Sequence, residues 1–277
     1  MVFRPAIPLS GIAGYNFLQA TYDKQLTAFS ESSQIQNDRE YFEEGLAEPI
    51  AVEDLLSDRR LLRVTLTAFG LAGEETKGGL VRRVLESVAD PDDSLLERLN
   101  NPDYERFAEA FQPDADGNIS ISSETIAELA TQFETELFEA AVGEVDSDQR
   151  LGLNYQSDIA TLVGSDSSDT AILFRLLGNV PVRSLLEGAL NLPDAFQSLP
   201  IERQAEELQE QLQSKFGITD LNDLTSPENI DRVITRFHGI QSALRGPDSL
   251  TPGAVALTLL TGVGANASAN LFLSGLG

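Results

Sequence analysis

The stretch IERQAEELQEQLQSKF, residues 201–216, sets Ile201, Ala205, Leu208, Leu212 and Phe216 three or four positions apart. That spacing gathers them on one face of an α-helix. Glu206, Glu207, Glu210 and Gln213 fall on the opposite face. The stretch is therefore a predicted surface helix whose apolar stripe needs a core to rest on. The same period recurs on both sides of it. Downstream, TSPE at 225–228 combines a cap, a proline and an acid at a helix start, and that helix should run to about Leu244. Upstream, helices are expected over Pro181–Leu190, Asp169–Leu177, Arg150–Val163 and Glu124–Val142. The last of these turns Ile126, Leu129, Ala130, Phe133 and Leu137 inward.

The first half reads the same way. Asn101-Pro102 is a cap and first turn for a helix to Phe111, and SLLE at 94–97 is a capping box for a short one. Leu80–Val88 is a helix closed by Asp90-Pro91, and Gln112–Asn118 is a loop. Val52–Phe69 is expected as a single helix, with Leu55, Leu62, Leu66 and Phe69 on one face and Leu61, Val64 and Ala68 beside them. Apolar on more than one side, it belongs at the centre of a bundle, and Gly70 is its stop. Gly14–Ser30 carries Phe17, Leu18, Thr21, Gln25 and Phe29 at helical spacing, and the polar run Glu31–Glu40 follows. Nothing reads as a strand ladder; Val180–Val182 is too short. The expected fold is all-α, a multi-helical bundle. Its expected parts are an N-terminal helical arm (1–44), a helical body (45–247) and a charge-free apolar C-terminal tail (248–277). LLRVTLTAFGL (61–71) and Pro102 are echoed by LLEGALNL (185–192) and Pro227 at nearly equal separations. The echo raises the option of two related helical halves; ordinary helix propensity and capping give the same pattern.

Composition narrows the function classes. With 42% hydrophobic residues the chain can bury a full core. A formal net charge of −25 argues against nucleic acid and against an anionic membrane surface. Partners would be met through apolar or acidic surface. With no cysteine, disulfides and thiolate sites are excluded. Pro5, Pro8, Gly11 and Gly14 break up the N-terminal apolar residues, which disfavours a cleavable secretory signal.

Candidate chemistry is sparse. Asp114, Asp116 and Asn118 open a stretch with the look of a calcium loop. However, Ile119 stands where the sharp turn needs glycine, and Glu124 comes one place early for the bidentate ligand. An Asx turn leading into a capped helix is the preferred reading. Gly262, Gly264 and Ala267 match a dinucleotide pattern on paper, but too little chain follows for the βαβ unit. His238 is the single histidine, without a G-x-S-x-G elbow to serve, and is expected near a helix end satisfying carbonyls. Asp54, Asp58, Arg59, Arg60 and Arg63 suggest an inter-helix salt bridge rather than a catalytic arginine. No catalytic residue, metal ligand or cofactor site is expected.

The tail supplies the candidate interaction site. From Ser249 to Gly277 no residue is charged. Val255, Leu259 and Leu260 lie at helical spacing, and Leu271, Phe272 and Leu273 form a second apolar cluster. The apolar run Ala254–Val263 is shorter than the ~20 residues of a membrane span. Burial in the chain's own body or in an assembly interface is expected, because soluble surfaces seldom tolerate such a patch.

Four segments together resemble a known family. They are DLLSDRRLLRVTLTAFGL (54–71), KGGLVRRVLESVADPDDSLLERLNNPDYERFAEAF (77–111), LFEAAVGEVDSDQRLGLNY (137–155) and LLGNVPVRSLLEGALNLPDAF (176–196). The combination is similar to the alphaproteobacterial domain-of-unknown-function family 1217, whose genes commonly lie in flagellar clusters. Gly78-Gly79 depart from the family's usual pattern, where a bulkier residue precedes the RVLES helix. The resemblance implies no catalytic residues. It implies a flagellum-associated structural or assembly protein that packs through helices, with a flagellar component or a second copy as partner. The alternative is a cytoplasmic regulator or chaperone-like binder of a flagellar protein. It leaves open whether the protein works in the bacterial cytoplasm or is exported to the flagellum without a cleaved signal.

Overall fold

The computed structural model describes residues 3–88, 95–99, 101–164 and 168–245. In chain order the helices are α1 Gly11–Ser30, α2 Ser33–Leu46, α3 Val52–Ser57, α4 Arg59–Ala68, α5 Gly78–Ser87, α6 Leu95–Leu99 and α7 Pro102–Ala110. They continue with α8 Ser123–Val145, α9 Ser147–Val163, α10 Asp169–Gly178, α11 Val180–Leu190, α12 Ile201–Phe216 and α13 Pro227–Arg245. The protein is an all-α, multi-helical bundle. Among the described residues the sheet is one short antiparallel pair, β1 Ile50–Ala51 with β2 Asn118–Ile119, in register Ile50↔Ile119. No described helix is long and apolar enough to cross a membrane.

Local chemistry sets most of the boundaries. Asn101 accepts from the Asp103 N–H with Pro102 in the first turn of α7, and Ser122 accepts from the Thr125 N–H at the head of α8. Asp146, Ser168 and Asn179 do the same for α9, α10 and α11. Each such cap satisfies an N–H that the helix itself leaves open. Gly70, at φ 75°, turns the chain out of α4 while the Leu71 N–H reaches back to the Leu66 carbonyl.

Two expectations are corrected, and the polar run, given no element from the sequence, gains one. The single helix over 52–69 is two, because Asp58 leaves helical geometry and its carboxylate takes the N–H groups of Arg60 and Leu61. Residues 33–40 of the polar run belong to α2, whose inward positions are Ile35, Asp38, Phe42 and Leu46. Asp38 occupies an apolar slot in that period and hides the stripe. Ile201, placed inward by spacing, is 43% exposed at the first residue of α12.

The buried side chains form two cores. The first gathers Phe42, Leu46, Leu55, most of α4 and α5, Tyr104, Phe107, Phe111 and the α8 residues Ile126–Phe133. Phe69, Phe107 and Phe111 meet with ring centroids 5.3–5.9 Å apart. The second gathers Tyr15, Leu18 and Phe29 of α1, Ile35, Phe138, Val142 and the inward faces of α9 to α13. Helices α2 and α8 thus run through both cores. Within the stretch 1–44 expected as an arm, α1 and α2 pack closely, and Leu18 and Phe42 have no exposed surface. α13 lies close on α11 because residue 188 is glycine; a Cβ there would come 2.8 Å from the Phe237 ring. Pro102 and Pro227 both open helices, but Phe111 caps a nine-residue helix while Phe237 lies inside a nineteen-residue one. The internal echo stops at the helix starts.

Candidate functional site

A polar cleft of about 250 Å³ lies where α7, α8, α9 and the α10–α11 turn converge. Its wall on one side is the first turn of α7, where the Arg106 guanidinium holds the Asp103 carboxylate at 2.6 Å. The Arg106 Nε is buried with no hydrogen-bond partner among the described residues. On the other side, Asn179 caps α11 through its Oδ1 and donates through its Nδ2 to Asp158 at 3.3 Å. Glu136 of α8 and Arg150, Asn154 and Asp158 of α9 complete it, with Val180 and Pro181 at the edge.

Carboxylates dominate its electrostatics. Burial, then the nearby Glu139, Asp158 and Asp103 carboxylates, pushes Glu136 up to about 8, with Arg150 opposing. Asp158 is also raised, by burial and then by Asp103. One turn along α8, Glu139 is 4% exposed and receives the Tyr22 hydroxyl at 3.1 Å and the Asn154 amide at 3.3 Å. Burial, helped by Asp158, raises it to about 7 against the Tyr22 hydrogen bond and Arg150. The cleft can hold and release protons. It has no serine, cysteine or histidine among its lining residues, and its titratable groups are Asp103, Glu136, Asp158 and the arginines Arg106 and Arg150. No group of His, Cys, Asp or Glu among the described residues is placed to hold a metal ion.

The other motifs resolve into architecture. The Asp114 carboxylate accepts the N–H groups of Asp116 and Asn118 at 2.9 and 2.8 Å, and Gly117 takes φ 80°. This is an Asx turn that feeds β2, and the acidic oxygen is spent on backbone. The arginines of α4 make the inter-helix ion pair: Arg60 and Arg63 both hold Asp38 of α2, at 2.8 and 2.9 Å. His238 departs from its expected place at a helix end. It sits inside α13, has no exposed surface, and neither ring nitrogen has a hydrogen-bond partner among the described residues. Its ring lies 5.4 Å from that of Tyr15, against the glycine face of α9 at Gly152. Burial lowers its pKa to about 4, so the imidazole is neutral.

Val255, Leu259, Leu260, Leu271, Phe272 and Leu273 of the expected interaction tail lie outside the described residues. So do Ser94 of the short capping box and Gly262, Gly264 and Ala267. Gly70, Asn101 and Pro102 stood out in the sequence only as helix-end signals, and the charged residues of the cleft were not singled out for chemistry. The signal that could have found them is a polar residue on the inward side of a helical period, as at Asn154.

A family model described as a protein of unknown function, DUF1217, matches residues 68–230. The chain belongs to the DUF1217 family. Every residue lining the polar cleft falls inside the matched stretch, whereas the Asp38 clamp falls outside it. The DUF1217 chain is also similar to the crystal structure of protein AGR_C_984 from Agrobacterium tumefaciens. The TM-score is 0.68 at 17% identity, over 88% of this chain and 100% of that one. That likeness shows a shared fold. No curated protein matches the chain.

Proposed function

We propose that this DUF1217 protein is a non-enzymatic, flagellum-associated structural or assembly protein that binds a protein partner or a second copy through helix packing. The observation that supports the binding role is a pair of exposed leucines at one end of the body. Leu244 is 70% exposed at the end of α13, and Leu9 is 54% exposed just before α1. The two helices bring these residues to the same end, since a side chain at Gly11 would meet Ser242 at 2.8 Å. The charge-free stretch from Ser249 starts a few residues beyond Leu244. Apolar side chains gain about 25 cal/mol per Å² on burial, so a handful of them supports an association of several kcal/mol. The sealed His238, whose ring nitrogens have no partner among the described residues, supports the non-enzymatic part, because the single imidazole of the sequence has no exposed surface. The flagellar part rests on the family resemblance.

Fractionating flagellated cells tests the reading. The protein should accompany filament or basal-body material, and a version lacking 249–277 should be lost from it. Recovery in the cytosol alone favours the regulator or chaperone-like binder. Unchanged partners after the deletion would remove the tail from the account.

A further inference from the structure

The groove between the end of α12 and the middle of α13 is basic, on a chain whose acidic residues outnumber its basic ones by 44 to 19. It is open, about 520 Å³ in volume, and its walls include Lys215, Arg232 and Arg236, with Asp231 the single acid among them. Arg232 and Arg236 stand one turn apart on α13. Their guanidinium carbons lie 5.8 and 6.0 Å from the centre of the same ring, that of Phe216.

Both guanidinium groups are held in place by uncharged acceptors. Arg232 donates to the Phe216 carbonyl at 2.9 Å and to the Asn229 amide oxygen at 2.8 Å, and Arg236 donates through Nε to the Ala189 carbonyl at 2.7 Å. The two carbonyls belong to the last turns of α12 and α11, so helix capping accounts for the anchoring. It does not account for the donors left over. The terminal nitrogens of Arg236 have no partner among the described residues, and each terminal nitrogen of Arg232 keeps a second hydrogen. Neither arginine, nor the exposed Lys215 beside them, pairs with a carboxylate among the described residues. Cations that are pinned while their charge stays unmet form a receptor in advance, which lowers the ordering cost of binding. A planar guanidinium group matches a carboxylate with two parallel hydrogen bonds.

We infer that the α12–α13 groove binds a carboxylate-bearing segment of a protein partner. Arg236 and Arg232 take the acid, and Phe216 and Ile240 take the apolar side chain next to it. The charge-free stretch from Ser249 brings no acidic side chain to the groove. A nucleic acid would be repelled along its length by a net charge of −25. A phosphate dianion would face the carbonyl ends of α11 and α12, which are the negative ends of those helices, and would leave Phe216 and Ile240 uncovered. The groove is separate from the exposed leucines at Leu9 and Leu244, and its role stands whether or not the tail takes part in association.

Fluorescence anisotropy tests the groove, with the full chain and a labelled, end-blocked peptide of glutamates flanking one leucine. The peptide should bind, and binding should weaken as salt rises. The same peptide with glutamine in place of glutamate should not bind. Arg236→Gln should weaken binding by about tenfold or more, the loss expected of a charge-assisted hydrogen bond. Thr235→Glu sets an acid at an exposed position of the groove while leaving both arginine anchors intact, and should weaken binding as much. Arg203→Gln removes a charge at the other end of α12 and should leave binding unchanged. If Arg236→Gln does not fold, Thr235→Glu decides the matter. Failure of the glutamate peptide to bind, equal binding of the glutamine peptide, or undiminished binding to the Thr235→Glu protein would overturn the inference. So would displacement by inorganic phosphate at an ionic strength where chloride does not displace the peptide, which would show a small-anion site instead.

Discussion

The two cores are assembled differently. The first is nearly contiguous, drawn from residues 42–133, and is studded with ion pairs at its rim. The second joins Tyr15, Leu18 and Phe29 from one end of the chain to residues 138–237. Buried polar atoms with no partner among the described residues occur beside both, at Thr65 on α4 and at Gln149, Tyr155 and His238 beside the second. A contiguous core closes short loops, whereas one built from distant segments pays a larger closure entropy before its contacts form. The second core should therefore be the more easily opened of the two.

Removing residues 1–30 should have the largest effect. It strips Tyr15, Leu18 and Phe29 from the second core and uncovers Phe138, whose ring is 5.8 Å from Phe29 and 5.2 Å from Tyr22. At about 1.5–3 kcal/mol for each large buried side chain, the loss is comparable to a whole domain's stability. Hydrogen exchange should show α10 and α11 unprotected and α4 and α5 still protected. Simultaneous loss in both regions would mean that the cores fold as one cooperative unit.

Phenylalanine truncation sharpens the contrast. Phe107→Ala and Phe237→Ala each empty a fully packed site and should cost about 3–5 kcal/mol in denaturant unfolding. The first should weaken protection around α4 and α7, the second around α11 and α13. Gly188→Val should cost about 1–3 kcal/mol by overpacking against Phe237, measured the same way. Asp38→Asn should cost only about 1 kcal/mol, because Arg60 and Arg63 are about two-fifths exposed and can turn to water. A cost as large as that of the phenylalanine variants would show that the clamp, and not the apolar packing, sets the first core's stability.

Much of this architecture was legible in the sequence where one signal acted alone. The α12 stripe and the caps at Asn101 and Ser226 needed only spacing and helix-end chemistry. The reading failed where tertiary structure placed polar groups inward. Asp38 interrupts the apolar period of α2 because its partners come from α4, a fact that no local window contains. Asp58 splits a helix that periodicity made continuous, since a cap and a surface acid look alike in sequence. His238 was read by its neighbours in the chain, while its setting is made by Tyr15 and Gly152 from two other helices. The polar cleft was hidden for the same reason: it exists only once α7, α8 and α9 converge.

The described helical body should stand without residues 249–277, the charge-free stretch proposed to serve association. Thermal unfolding of residues 1–248 beside the full chain, followed by circular dichroism, tests it most directly. The prediction is equal helical content per described residue and a midpoint shifted by less than about 4 °C, the size of a 1 kcal/mol change in a chain of this length. A truncated chain that unfolds or aggregates would contradict the claim and make the tail part of the core.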